Sequence, residues 1–144
     1  MGRDGSVPSS DGKEIVTVRF LNAWGYQGDA MTLPVANVDE AADFYVEKMG
    51  FAIESRSDEP RRTVVLTRPN VKMAINENGG DPTQDGVAFE VSDAQAVLDE
   101  FRSRGLDLDP SKLHVERRDN GAEWRVFFVV APDGLCFWLG EKLG

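Results

Sequence analysis

The sequence predicts an α+β fold: two βαβββ modules whose sheets curl around a central cleft. Three observations predict it. An apolar alternation running into a capped amphipathic helix occurs twice; three strand-like runs follow each helix; and turn residues separate those runs at matching places in the two halves. A repeat longer than 50 residues exceeds the period of solenoid arrays, so it reads as one duplicated supersecondary unit.

Residues 1–12, MGRDGSVPSSDG, are dominated by Gly, Ser, Pro and charge, and are expected to form a loose tail. Residues 13–29 read as a lead-in strand and loop outside the core unit. Ile15, Val16, Val18 and Phe20 mark a strand over Glu14–Phe20, which the Gly-rich stretch Trp24–Gly28 then breaks. The main domain is expected over 30–144, with module one at 30–80 and module two at 81–144.

Module one opens at Met31, where Leu33 and Val35 alternate with Thr32 and Pro34. Pro34 lacks an amide hydrogen and so places this strand at a sheet edge or bulge. Asn37 and Glu40 have capping-box spacing, Ala41, Ala42, Tyr45, Val46 and Met49 form one apolar helix face, and Gly50 closes the helix. Strands are predicted over Phe51–Ser57, Thr63–Thr67 and Val71–Asn76, with turns at Asp58–Pro60 and Pro69–Asn70.

In module two Val87, Phe89 and Val91 alternate. Ser92 and Gln95 repeat the capping-box spacing, Val97, Leu98 and Phe101 supply the apolar face, and Gly105 ends the helix. Strands fit Leu113–Arg117, Glu123–Ala131 and Leu135–Leu139, with turns at Asp119–Gly121 and Pro132–Gly134.

Composition excludes several function classes. The chain has 144 residues, 41% of them hydrophobic, and its longest apolar run, Val126–Ala131, is far shorter than the roughly 20 residues of a membrane span. With no signal-peptide pattern, a soluble cytoplasmic protein is expected. Twenty-five acidic against 16 basic residues give a formal charge of −9 without a Lys/Arg stripe, which argues against nucleic acid as a partner. Cys136 is the only cysteine, so an internal disulfide and Cys-based metal clusters are excluded; its neighbours Phe137 and Trp138 point to a packed thiol.

The stretch LPVANVDEAADFYVEKMGF, Leu33 to Phe51, resembles the opening module of the vicinal oxygen chelate superfamily of glyoxalases, bleomycin-resistance proteins and extradiol dioxygenases. GVAFEVSD, from Gly86 to Asp93, resembles that family's central strand, and APDGLCFWLGE, from Ala131 to Glu141, its Asp-Pro-Asp-Gly turn and last strand. The resemblance spans Ala30 to Glu141. It implies a glyoxalase/bleomycin-resistance-type fold, a ligand site in the cleft between the modules, and a homodimer.

Enzymes of the family hold a divalent ion with His and Glu side chains on inward-facing strand positions. The resemblance puts those positions at Ala30, Met73, Gly86 and Trp138, none of which can ligate a divalent ion through its side chain. A one-residue slip brings in Asp29 or Met31, Lys72 or Ala74, Asp85 or Val87, and Phe137 or Leu139, still without a histidine. Neither a metal nor any other cofactor is expected.

Trp138 and Met73 then fill the former metal volume with apolar atoms, as a stacking platform for a flat or cationic ligand or as a plug of the cavity. Trp124 and one of Phe127 and Phe128 add contact area, Phe128 being the residue chosen, and an inward Arg125 would hold a carboxylate or phosphate. Trp24 and Tyr26 are candidates to cover a cavity mouth or a partner subunit. Glu90, Glu77 and Glu141 are candidates to attract a cation. His114, the only histidine, is a candidate general base.

The expected activity is binding alone: a metal-independent protein that buries a small aromatic or cationic molecule, with Trp138, Met73, Phe128, Trp124 and Arg125 as ligand-binding residues. The alternative is a lyase, isomerase or dioxygenase-type enzyme using relocated metal ligands or cofactor-free acid/base chemistry.

Overall fold

The computed structural model describes residues 19–144. Nine strands and two α-helices appear in the order β1 (Phe20–Gly25), β2 (Leu33–Pro34), α1 (Val38–Met49), β3 (Ala52–Ser57), β4 (Thr63–Arg68), β5 (Val71–Asn76), β6 (Gly86–Val91), α2 (Ala94–Ser103), β7 (His114–Arg117), β8 (Glu123–Val130) and β9 (Cys136–Lys142). They form a four-stranded sheet, β2-β5-β4-β3, and a five-stranded sheet, β1-β6-β9-β8-β7. Leaving β1 aside, each sheet is one βαβββ copy with the same strand order, so the duplicated grammar of the sequence is a duplicated topology.

The expected tail lies outside the described residues, as does most of the expected Glu14–Phe20 strand. What the structure does place is a strand running from Phe20 to Gly25, through the segment the glycines were expected to break. It is no appendage. It pairs antiparallel with β6, through a register shift between Phe20 and Asn22, and it buries Phe20 in the core. Phe20 sits edge-on to Phe89 with centroids 5.1 Å apart and edge-on to Phe51 at 6.0 Å, geometries that aromatic quadrupoles favour.

Both helices use the turn chemistry their sequences encode. The Asn37 side chain accepts from the amides of Asp39 and Glu40, and Gly50 takes the left-handed conformation, φ 75°, that stops α1. In α2 the cap is Asp93, one residue beyond the expected Ser92, because the Ser92 amide is drawn into the sheet by the Arg19 carbonyl. One further device repeats. Glu77, just after β5, accepts from the Val38 amide at the start of α1, and Glu141 in β9 accepts from the Ala94 amide at the start of α2. Each glutamate also has an arginine at ion-pair distance, Arg62 at 3.6 Å and Arg125 at 3.7 Å. A carboxylate at a helix N-terminus satisfies an orphan amide and opposes the positive end of the dipole.

The helix-facing residues of both sheets join in one core containing Val71, Met73, Ile75, Phe89, Phe127, Phe137 and Leu139. Polar contacts also tie the halves together. Tyr45 on α1 donates to Asp133 in the β8–β9 turn at 2.8 Å, and burial pushes the Asp133 carboxyl up against the lowering effect of its hydrogen bonds. Glu100 on α2 meets Arg68 of β4, Arg104 of its own helix end and Arg19 before β1. No helix among the described residues is long and apolar enough to cross a membrane.

Candidate functional site

The helices cover one face of the five-stranded sheet, and the opposite face is open. Residues facing each other across a sheet pair share a face, so the register lays out the open side in rows. Phe128, Trp138, Ala88 and Trp24 form one row across β8, β9, β6 and β1; Val130, Cys136 and Gly86 form the row beside it; and His114, Val126, Gly140, Glu90 and Asn22 form the row on the other side. Here a pocket of about 550 Å³ is lined by Trp24, Tyr26, Ala88, Arg118, Trp124, Phe128, Cys136 and Trp138. The volume suits a drug-sized molecule.

Small residues set the positions of the large ones. A Cβ on Gly140 would lie 2.1 Å from the Trp138 ring, so the indole lies down over this glycine instead of standing away from the sheet. There it meets Trp124 edge-on at 5.3 Å, while the Arg118 guanidinium stands 5.5 Å from its ring centroid. At the other end Tyr26 covers Gly86, its Oη 3.8 Å from Cys136 Sγ. Burial, together with the neighbouring thiol, raises the Tyr26 phenol above its ordinary value, so it stays a neutral hydrogen-bonding group across the physiological range.

Of the expected ligand-binding residues, Trp138, Trp124 and Phe128 line this pocket. Phe127 points the other way, into the core against Phe101, which settles the open choice between the two phenylalanines. Met73 does not face the open side. It is 0% exposed, paired opposite Leu66 on the helix-covered face of its sheet, and outside the pocket lining. Arg125 does not line the pocket either; its register puts it opposite Val115 and Glu141 on the helix side, 3.7 Å from the helix-capping Glu141. The pocket is also not between the modules, since its lining comes from β1, the turn after it and residues 88–138 alone.

Trp24 and Tyr26, seen in the sequence as possible covers, are walls of the pocket. Arg118 and Ala88 were missed. Arg118 precedes β8 in a turn, where strand alternation gives no orientation, and an alanine in a strand carries no signal of its own. Cys136, expected as a packed thiol, faces the pocket and is partly exposed.

The acidic candidates are engaged elsewhere: Glu77 and Glu141 at helix termini, and Glu90 with Asn22 Nδ2 at 2.7 Å. His114 stays exposed at the edge of the sheet. Nδ1 lies 2.8 Å from the Lys112 carbonyl and Nε2 3.0 Å from Glu116, contacts that raise its pKa, and it stands outside the pocket lining.

The metal positions implied by the resemblance do not fit a metal. A side chain at Gly86 would place its Cβ 1.8 Å from the Cys136 carbonyl oxygen, so the position is closed by backbone as well as lacking a donor. Ala30 and Trp138 offer no donor, and Met73 lies in the core. Lys72, beside it on the open side, pairs with Glu54 at 3.1 Å. Among the described residues no three His, Cys, Asp or Glu side chains converge.

Comparison with solved structures returns this fold repeatedly. The bleomycin-binding protein of bleomycin-producing Streptomyces verticillus, solved with copper(II)-bleomycin, is 20% identical, with 76% of this chain and 90% of that chain covered and a TM-score of 0.56. An antibiotic-binding protein from Streptomyces sp. CB03234 is 20% identical over 78% and 93%, with a TM-score of 0.60. A fosfomycin resistance protein from Listeria monocytogenes is 16% identical over 77% and 87%, with a TM-score of 0.55. No curated protein matches the sequence significantly. The family model described as Glyoxalase/Bleomycin resistance protein/Dioxygenase superfamily matches residues 28–139, most of the chain, and with two βαβββ copies in place the protein belongs to that superfamily.

Proposed function

We propose that the protein binds a small, flat aromatic molecule on the open face of the five-stranded sheet and does so without a metal. The observation that carries this reading is the convergence of Trp24, Trp124, Phe128 and Trp138 around one pocket, with Phe128 and Trp24 left 45% and 49% exposed. Exposing that much aromatic surface costs solvation free energy unless something covers it. Structural neighbours described as binding bleomycin or another antibiotic support a sequestering role, and the donor-poor metal positions favour binding over metal-dependent catalysis.

The direct test is thermal unfolding with a panel of neutral bicyclic aromatics, such as 2-naphthamide, in chelator-treated buffer. An occupied site raises the melting temperature. Wild-type protein is expected to show the rise, and Trp138→Ala to lose most of it. A rise that survives both Trp138→Ala and Trp124→Ala would place the ligand elsewhere.

The same apolar face supports a homodimer. Val130 beside the pocket is 68% exposed and extends the apolar surface beyond what a small ligand needs. Light scattering is expected to give twice the 15.9 kDa chain mass, and Val130→Lys to shift it toward one chain; a wild-type protein that stays monomeric at high micromolar concentration ends this part of the proposal.

A further inference from the structure

Building on the reading of the aromatic pocket as a ligand site, we infer that its occupant is an aromatic anion, a flat ring system bearing a carboxylate or comparable group, and that Arg118 is the residue that selects it. The net charge of −9 points the other way, toward a cation, as the sequence suggested. Local geometry reverses that sign.

Arg118 is the one charged side chain among the eight that line the pocket. The carboxylates of the open face stand outside the lining and are already engaged. Glu90 accepts from Asn22, and Glu116 is divided between His114 at 3.0 Å and Arg118 at 3.4 Å. That last contact is long and occupies little of a guanidinium that carries five N–H donors in a fork matched to a carboxylate.

The backbone beneath Arg118 is fixed. Its amide donates to the Ala122 carbonyl at 2.8 Å and its carbonyl accepts from Gly121 at 2.9 Å, closing the turn between β7 and β8. Its guanidinium carbon then lies 5.5 Å from the Trp138 ring centroid, at the stacking surface itself.

Range decides between the two charges. The field of the acidic surface is screened beyond about 8 Å at physiological ionic strength, whereas Arg118 acts at contact, beside an apolar lining. A cationic ligand would meet a like charge there, and would find the π-face of Trp138 already shared with a guanidinium. An anionic ring gains the aromatic contact and a charge-assisted hydrogen bond together.

The test is calorimetric titration of the full chain with three probes of one shape: 2-naphthoate, 2-naphthamide and 2-naphthylmethylammonium. Naphthoate is expected to bind at least about tenfold more tightly than either of the others, the usual scale for a hydrogen bond to a charged group. Arg118→Gln should bring that ratio to within about twofold, Arg118→Lys should retain part of it, and added salt should weaken naphthoate alone. Arg118 is half-exposed in a surface turn, and an unchanged melting temperature confirms that its variants fold. Equal binding of all three probes, or a preference for the ammonium, overturns the anion assignment and leaves the aromatic pocket standing. Failure of all three to bind at millimolar concentration overturns the pocket reading and this inference with it.

Discussion

Gly140 and Gly86 lie in neighbouring strands on the same open face, yet an added methyl group meets different obstacles at the two positions. At Gly140 the nearest atoms belong to the Trp138 indole, the outer part of a side chain that can rotate away. At Gly86 the nearest atom is the backbone carbonyl oxygen of Cys136, at 1.8 Å, and the strands themselves must separate. Gly140→Ala is therefore expected to cost less than about 1 kcal/mol in urea unfolding while shifting Trp138 emission and weakening aromatic ligands. Gly86→Ala is expected to cost about 2–3 kcal/mol, the range of overpacked cores. Equal losses for the two variants would show that indole and backbone yield alike, and that Trp138 is not held down by the glycine beneath it. At this scale the sequence was half legible. Trp138 could be placed on the open face only through the family resemblance, which puts it at an inward strand position, because Phe137, Trp138 and Leu139 are themselves all large and apolar. Met73 could not, because Met73, Ala74 and Ile75 are all apolar and leave no alternation to read; the ladder with β4 decides that Met73 faces the core.

Strands and helices that carry their own periodicity were legible to within a residue or two, and those defined by their partners were not. Helix α1 announces itself through Asn37, its apolar stripe and Gly50, and all three act as the sequence implies. Strand β1 does not. Its alternation is interrupted by the register shift after Phe20, and glycine follows, so in isolation FLNAWG resembles the end of a strand more than the whole of one. Pairing with β6 makes it a strand, and that pairing brings Trp24 into the aromatic row and carries the chain on to Tyr26. The lead-in is thus part of the candidate site, although the family resemblance begins only after it. The side of the sheet that Arg125 takes was hidden for a related reason. Its strand gave two candidate orientations, and the deciding fact is Glu141 on β9, whose role at the start of α2 repeats that of Glu77 at the start of α1. The repeat of helix-capping glutamates is visible once both modules are superposed in topology.

Across the whole molecule, the two modules share one core, and Glu100 is the most heavily paired polar group at their junction. Its carboxylate reaches Arg68 from module one at 3.0 Å, Arg104 at 2.9 Å and Arg19 at 2.8 Å, while Arg68 also donates to the Met49 carbonyl at the end of α1 and lies 4.2 Å over the Phe20 ring. Glu100 and Arg68 are only 11% and 12% exposed at the side chain, so neither charge can fall back on water if the other is lost. Burial alone would raise the Glu100 carboxyl, but Arg68, Arg104 and Arg19 outweigh it and hold the group below its ordinary value. A carboxylate depressed in the folded state contributes stability that is fully present above its unfolded value and is lost as pH falls through the folded one. Glu100→Gln is therefore expected to cost about 3 kcal/mol at neutral pH, the scale for leaving a buried partner charge uncompensated. The gap between variant and wild type should then narrow as the pH is lowered below the ordinary carboxylate range, where the wild-type residue also becomes neutral. Chemical unfolding across that range reads both effects. A gap that stays constant down to acid pH would mean that the glutamine fails through packing alone, and that the charge of Glu100 plays no part in joining the modules.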